Sequence, residues 1–346
     1  MTNLHQSNWK LEIGSMKINL FSVPISITDK QQALAVVGHW LRKWREVSRV
    51  PNVSKVPKAS ENHTAFDTFD TSDTSDTSGT FGTSFKLITT PNPEMIVAAQ
   101  SDPVFLKALQ SADLAIPDGI GVVWALKILN KEQRKKSSSA HSVFSIHNSA
   151  FLFSRLSGID LMESLILTLP GTFLKGYSLK DRPLKVLLLG GKPGVAAKAA
   201  ANLQHLKKMA MDDRRELGEY YQPLINCLSG PPDITSISKS DNDRLIAEIN
   251  SFSPDLLFVA FGHRRQEKWL MANRCRLNAG VAMGVGGALD QIADPSLRPP
   301  AYINSIGLGW LYRLVRQPWR WRRQLALLKF IWMVNKQIVW FPGRNS

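Results

Sequence analysis

Two cysteines in 346 residues, Cys227 and Cys275, are too few for a disulfide framework or a zinc cluster, and they suit a reducing cytoplasm. The first residues lack the basic segment, apolar stretch and small-residue cleavage site of an export signal, so export is not expected. No window of membrane-spanning length is free of charge. The best, residues 325–341, is interrupted by Lys329, Asn335 and Lys336, which leaves peripheral contact as the expected mode. Acidic residues are missing where cations are dense: from 295 to 346 there are nine Lys or Arg and no Asp or Glu, in a chain of net charge +15. An apolar share of 44% still suffices for a real core, in one large or two modest domains.

Taken in order, residues 1–15 are polar and unpatterned, an N-terminal extension, and 16–25 read as a short strand after an alternative start at Met16. Asp29 caps an amphipathic helix over 31–45, with Ala33, Val36, Val37 and Leu41 at helical spacing. Between about 47 and 84 the pattern gives way to Ser, Thr, Asp and Pro, including a run of Asp-Thr-Ser triplets. Such a segment buries too little to offset its ordering entropy and is expected to be a disordered insertion. Calcium binding by its aspartates lacks the glycine and glutamate of an EF-hand loop. A second polar insertion spans 131–149, where His141 and His147 are expected to be solvated.

Elsewhere short apolar runs alternate with helical patterns: strands over 86–89, 114–116, 184–189, 255–261 and near 281, with helices between. That alternation predicts an α/β fold with a doubly wound, mostly parallel sheet. In such sheets ligands sit beyond the carboxyl ends of the strands. The turns Thr89-Thr90-Pro91-Asn92 and Pro117-Asp118-Gly119 each end a strand, so Thr90, Asn92 and Asp118 should share one crevice, the expected active site. From the residues alone, Asp118 suits a general base that accepts a proton or, as readily, a cap to the helix that follows. The strand–turn–helix at Gly190-Gly191-Lys192-Pro193-Gly194 suits a phosphate cradle or, alternatively, simple packing of a strand on its helix.

Seven segments together resemble the WecG/TagA/CpsF glycosyltransferases: TPNPE (90–94), DLAIPDGIGVVWA (113–125), SRLSGIDLM (154–162), LLLGGKPGVAAKAAANL (187–203), PDLLFVAFGHRRQEKW (254–269), AMGVGGALD (282–290) and LGWLYRLVRQPWRWRRQ (308–324). The resemblance covers most of 16–340. It implies a Rossmann-like catalytic domain over 16–295 and a basic, aromatic appendage over 296–346. It further implies inverting transfer of an N-acetylmannosamine-type sugar, from a UDP donor to N-acetylglucosaminyl-diphospho-undecaprenol, without a cofactor or essential metal. Asp118 matches the catalytic base; Thr90, Asn92, Arg155, Gln266 and Asp290 match the pocket lining, with Gly190 and Gly191 near the donor. A surface ion pair is the alternative for Arg155, whose place before Gly158 and Asp160 in the matched motif favours the site, and the start of a helix is the alternative for Gln266. No nucleic acid is implied, and a homo-oligomer is left open. Three departures stand out: His263-Arg264-Arg265 in place of Ala-Pro-Lys, Gly230-Pro231 in place of Gly-Tyr, and Gly309 in place of Glu. They bear on which sugar and acceptor are used, so another hexose, such as glucose, passed to a longer lipid-linked saccharide is the alternative reading.

The tail alternates cations with half of the chain's ten tryptophans, and Pro318 should divide it into two helices. Arg313, Arg316, Arg320, Arg323, Trp319 and Trp321 have the composition of an interfacial helix, and a lipid acceptor gives them a reason to exist: peripheral docking on the inner face of the plasma membrane. A subunit interface or single-stranded nucleic acid would also take basic and aromatic residues, so a nucleic-acid-binding protein is the rival of another class.

Overall fold

The computed structural model describes residues 17–48, 84–136, 156–169, 182–212, 222–300, 302–303, 308–318 and 321–340. The expected disordered insertion before residue 84, most of the second insertion and the N-terminal extension fall outside them.

The chain opens with a hairpin, β1 (Lys17–Leu20) and β2 (Val23–Ser26), where a single strand was expected. Phe21 and Ser22 turn it with φ of 52° and 64°, the left-handed pair of a type I′ turn, made without the usual Asn-Gly signature. Helix α1 (Lys30–Val47) follows, with Asp29 and Gln32 forming a reciprocal capping box. Then come β3 (Lys86–Thr89), α2 (Pro93–Ala99), α3 (Pro103–Gln110), β4 (Leu114–Ala115), α4 (Ile120–Lys136) and α5 (Gly158–Leu167). The helix α4 runs on to Lys136, into the segment expected to be a polar insertion, because its Lys, Glu, Gln and Arg residues are good helix formers. The second half contains β5 (Lys185–Gly190), α6 (Val195–Asp212), β6 (Leu224–Leu228), α7 (Lys239–Phe252), β7 (Leu256–Ala260), α8 (Arg265–Ala272), β8 (Val281–Gly284) and α9 (Ala288–Ala293). Two helices, α10 (Gly309–Arg316) and α11 (Trp321–Trp340), flank Pro318.

Six strands form one wholly parallel sheet in the order β4-β3-β8-β7-β5-β6. Its apolar strands are buried on both faces, as the doubly wound architecture requires. One face packs against α1, α5, α6 and α9. The other carries α7 and α8, around Leu245, Ile249, Trp269 and Leu270. A third apolar cluster joins the hairpin, α2, α3, α4 and, through Phe330 and Val334, α11. The tail is therefore built into the core along one side.

The amino edge of the sheet is locked by ions. Arg45 on α1 meets Asp255 through two hydrogen bonds, 3.1 and 2.7 Å, with both side chains almost wholly buried, and gives its other donors to the carbonyls of Arg182 and Pro183. Asp113, before β4, accepts from the Leu87 N–H and Lys86 and pairs with Arg274. The first aspartate of the segment DLAIPDG is thus structural. The opposite edge is left to polar turns.

Candidate active site

Because all six strands run the same way, the turns after β4, β3, β8, β7 and β5 line one rim. From β4 to β5 that rim is four strand spacings, about 19 Å. The direction of winding reverses once along it: β3 to β4 and β7 to β8 step one way, β5 to β6 the other, so the switch point lies between β5 and β7.

At one end the two turns read from the sequence do meet. Asn92 leaves β3 and caps α2, its Oδ1 accepting from the Met95 N–H at 2.9 Å, with Pro93 in the first turn. The exit of β4 is laced to it: the Ile116 N–H donates to the Thr89 carbonyl and the Asp118 N–H to the Pro91 carbonyl, both at 2.9 Å. Gly119, at φ 87°, then turns the chain into α4. Asp118 is half-buried, its backbone fixed one strand away from Asn92. Thr90 faces the start of α5, where a Cβ on Gly158 would stand 3.2 Å from Thr90 Oγ1. Ser157 caps that helix and donates to Asp160 Oδ2 at 2.6 Å. Arg155, three positions before Gly158, lies outside the described residues.

In the middle of the rim, Gln266 was expected in the pocket wall and is instead enclosed, 3% exposed. Its Oε1 accepts from the Gly286 N–H at 3.1 Å and its Nε2 donates to Glu267 Oε1 at 2.8 Å. The side chain therefore ties the turn after β8 to the start of α8. Gly284 makes this possible: a Cβ there would lie 2.6 Å from Gln266 Nε2 and 2.9 Å from Glu267 Oε1. Glu267 is buried, its Oε2 without a hydrogen-bond partner among the described residues, and burial pushes its carboxyl up to about 7. Sequence reading passed over it because it sits in a run of charged residues, HRRQEK, that resembles a solvated face. Arg264, just before α8, holds φ of 70°, a conformation closed to the Pro of the family pattern.

At the other end, Gly190 is required by packing: a Cβ would come 2.9 Å from the Phe261 ring, which also presses on Gly230 and stands edge-on to Trp269 at 5.2 Å. Gly191, at φ 79°, donates its N–H to the Ala260 carbonyl and is exposed beside the switch point. Of the two readings of this glycine turn, close packing accounts for Gly190, while Gly191 is exposed.

Asp290 on α9 borders a recess of about 10 Å³ with Gly287, Gln291, Arg313 and Arg316. Helix α10 lines the same recess, and the Tyr312 hydroxyl donates to the Ser296 carbonyl at 3.1 Å. Two arginines expected on the docking surface are thus neighbours of Asp290. Trp321 is exposed; Trp319, Arg320 and the Arg323 side chain lie outside the described residues. Among the described residues no group of three or more His, Cys, Asp or Glu side chains comes together as a metal site requires.

A parallel sheet clothed on both faces, with polar turns and arginines gathered on one rim, is a Rossmann-like enzyme domain. A sequence profile of the glycosyl transferase WecG/TagA/CpsF family matches residues 76–148 and 143–344, and the chain belongs to that family. Among its relatives is the N-acetylglucosaminyldiphosphoundecaprenol N-acetyl-beta-D-mannosaminyltransferase of Bacillus subtilis (strain 168), 29% identical over 255 residues, which are 72% of this chain and 79% of the relative. The protein of the same name from Bacillus spizizenii is 27% identical over 250 residues, 72% and 78% of the two chains.

Proposed function

We propose that the protein transfers an N-acetylmannosamine-type sugar from a UDP donor to N-acetylglucosaminyl-diphospho-undecaprenol, inverting the anomeric centre and needing no metal. The observation that carries this reading is the lacing of the Asp118 turn to the Asn92 turn, at the rim of a sheet whose family and named relatives are glycosyltransferases. In the proposed step the acceptor hydroxyl oxygen attacks the anomeric carbon from the face opposite UDP. Asp118 takes the hydroxyl proton as the new C–O bond forms, and the bond to UDP breaks with its electron pair leaving on the diphosphate. Arg313 and Arg316 are the groups we assign to that growing negative charge.

The tail supports work at a bilayer. No helix among the described residues is long and apolar enough to cross a membrane. Yet the outer face of α11 exposes Leu325, Leu328, Ile331 and Trp332, from 37% to 65%, with Lys329 and Lys336 exposed beside them. A patch of this kind is costly in water and suits a peripheral contact with anionic lipid on the inner membrane face. The test is a panel of UDP-sugars incubated with the full chain and the lipid-diphosphate acceptor, with and without chelator, followed by anomeric analysis of the product. Transfer from UDP-N-acetylmannosamine with inversion, unaffected by chelator, is expected. Preference for another hexose would replace the sugar assignment, and absence of transfer from any donor would refute the reaction.

A further inference from the structure

We infer that a groove between α2, α11 and the turn before α8 holds the diphosphate and first isoprene unit of the acceptor. This inference rests on the reaction proposed above and adds a place for one substrate. The groove has a volume of about 410 Å³, within the range of small-ligand sites.

Position is the first argument. One end is at Glu94, two residues beyond Asn92 on the rim, and the groove follows α2 to Ser101, about 10 Å further at 1.5 Å per residue. It therefore leads away from the Asp118–Asn92 turns rather than standing apart from them. Chemistry is the second. At the rim end His263 Nε2 lies 3.5 Å from Glu94 Oε1; Arg264 also lines the groove, and Lys329 is contributed by α11. The walls between are Val97, Ala98 and Ala326. Cations outnumber the single carboxylate, and small apolar residues provide room for a chain, so the groove matches an anionic head joined to a hydrocarbon. A third argument is the backbone at Arg264. Its backbone, at φ 70° and ψ −44°, is strained for a residue with a side chain and open to glycine. Strain of this kind is kept where the side chain is used. Finally, α11 itself supplies the exit: its Lys329 borders the groove while its outer face bears Leu325 and Leu328, so a longer prenyl chain leaving the groove meets the surface assigned to the bilayer.

The test uses the full chain, with geranyl diphosphate, inorganic pyrophosphate and UDP as separate calorimetric probes. Arg264→Gly removes the guanidinium and relaxes the backbone, so it should fold at least as well as the wild type. Ala98→Trp fills the apolar wall. Each variant should weaken geranyl diphosphate binding at least tenfold and leave UDP binding unchanged, and Ala98→Trp should not affect pyrophosphate. Unchanged geranyl diphosphate affinity in the folded variants overturns the inference. So does a parallel loss of UDP affinity, or pyrophosphate binding as tightly as the prenyl compound. Failure of sugar transfer in the donor panel would refute the reaction alone, because these binding measurements do not depend on turnover.

Discussion

Glu267→Gln isolates the buried carboxyl that holds Gln266 in place. Burial lifts its pKa from 4.5 to about 7, so the folded protein keeps this proton more firmly than the unfolded chain does. The gap of roughly 2.5 units, at about 1.36 kcal/mol each, makes ionised Glu267 cost the fold about 3 kcal/mol. The sign follows from proton counting: wherever the folded state binds more protons, stability falls as pH rises, here from about 4.5 through 7, and levels off above. Between roughly pH 5.5 and 8.5 this one group should remove about 2 kcal/mol of stability. Glutamine cannot ionise, yet it still offers an oxygen to the Gln266 amide, so the variant should not suffer that loss. At about 2–4 °C per kcal/mol for a chain of this size, the wild type should drop by roughly 4–8 °C relative to the variant over that range. Thermal melts of both proteins at the two pH values measure it. Parallel curves would mean that Glu267 is already ionised in the folded protein at low pH, and the buried-carboxyl argument would be wrong.

Other perturbations address the rim and the tail. Asp118→Asn should lower turnover by about 10²–10⁴-fold, the range for general-base catalysis, with the UDP dissociation constant unchanged in calorimetry; retained turnover would remove Asp118 as the base. The double change Leu328→Glu and Trp332→Glu lies on exposed positions, so melting should hardly move while sedimentation with anionic vesicles falls at least tenfold; undiminished sedimentation would place docking elsewhere. Phe330→Ala should cost about 3–5 kcal/mol, read as a lower denaturation midpoint, because the ring is fully buried among the hairpin, α2 and α4.

What could be read from the sequence was whatever is settled by neighbours along the chain. Asp29, Asn92 and Ser157 each accept an N–H three positions on, and such caps announce a helix locally. The apolar runs of β5, β7 and β8 are equally plain, because strands covered on both faces need no alternation. The β6 strand was missed since it lies at the sheet edge, where Leu224 and Asn226 are exposed and the apolar run is broken. The hairpin turn at Phe21-Ser22 carries no turn residue that would signal it. At the rim, the meeting of Asn92 and Asp118 was legible because β3 and β4 are consecutive and paired. The enclosure of Gln266 was not, since it depends on Gly284 and Gly286 arriving from a strand that pairs on β7. Nor was the position of Arg313 and Arg316 beside Asp290, which depends on where the tail meets the turn after β8. Composition correctly marked the tail as unusual but could not divide its residues between an inner and an outer surface.

That division makes the tail part of the rim's mechanics. Helix α11 buries Phe330 and Val334 completely, so removing residues 296–346 would open a core along with any docking surface. Its contacts converge on one glycine. A Cβ on Gly121 would stand 2.8 Å from Pro93 Cγ, 3.7 Å from Leu327 Cδ1 and 4.0 Å from Phe330 Cε1. Pro93 follows Asn92 directly, and Gly121 is three residues past Asp118, so the helices leaving both turns come together there beside α11. Gly121→Ala should therefore push Pro93 aside at a cost of about 1–3 kcal/mol, the usual range for overpacking. If Asp118 is the base, its placement matters to a fraction of an ångström, so the same shift should lower kcat by about 10²-fold while UDP binding is retained. An alanine variant with normal kcat would show that the spacing of the Asn92 and Asp118 turns is not set at this contact.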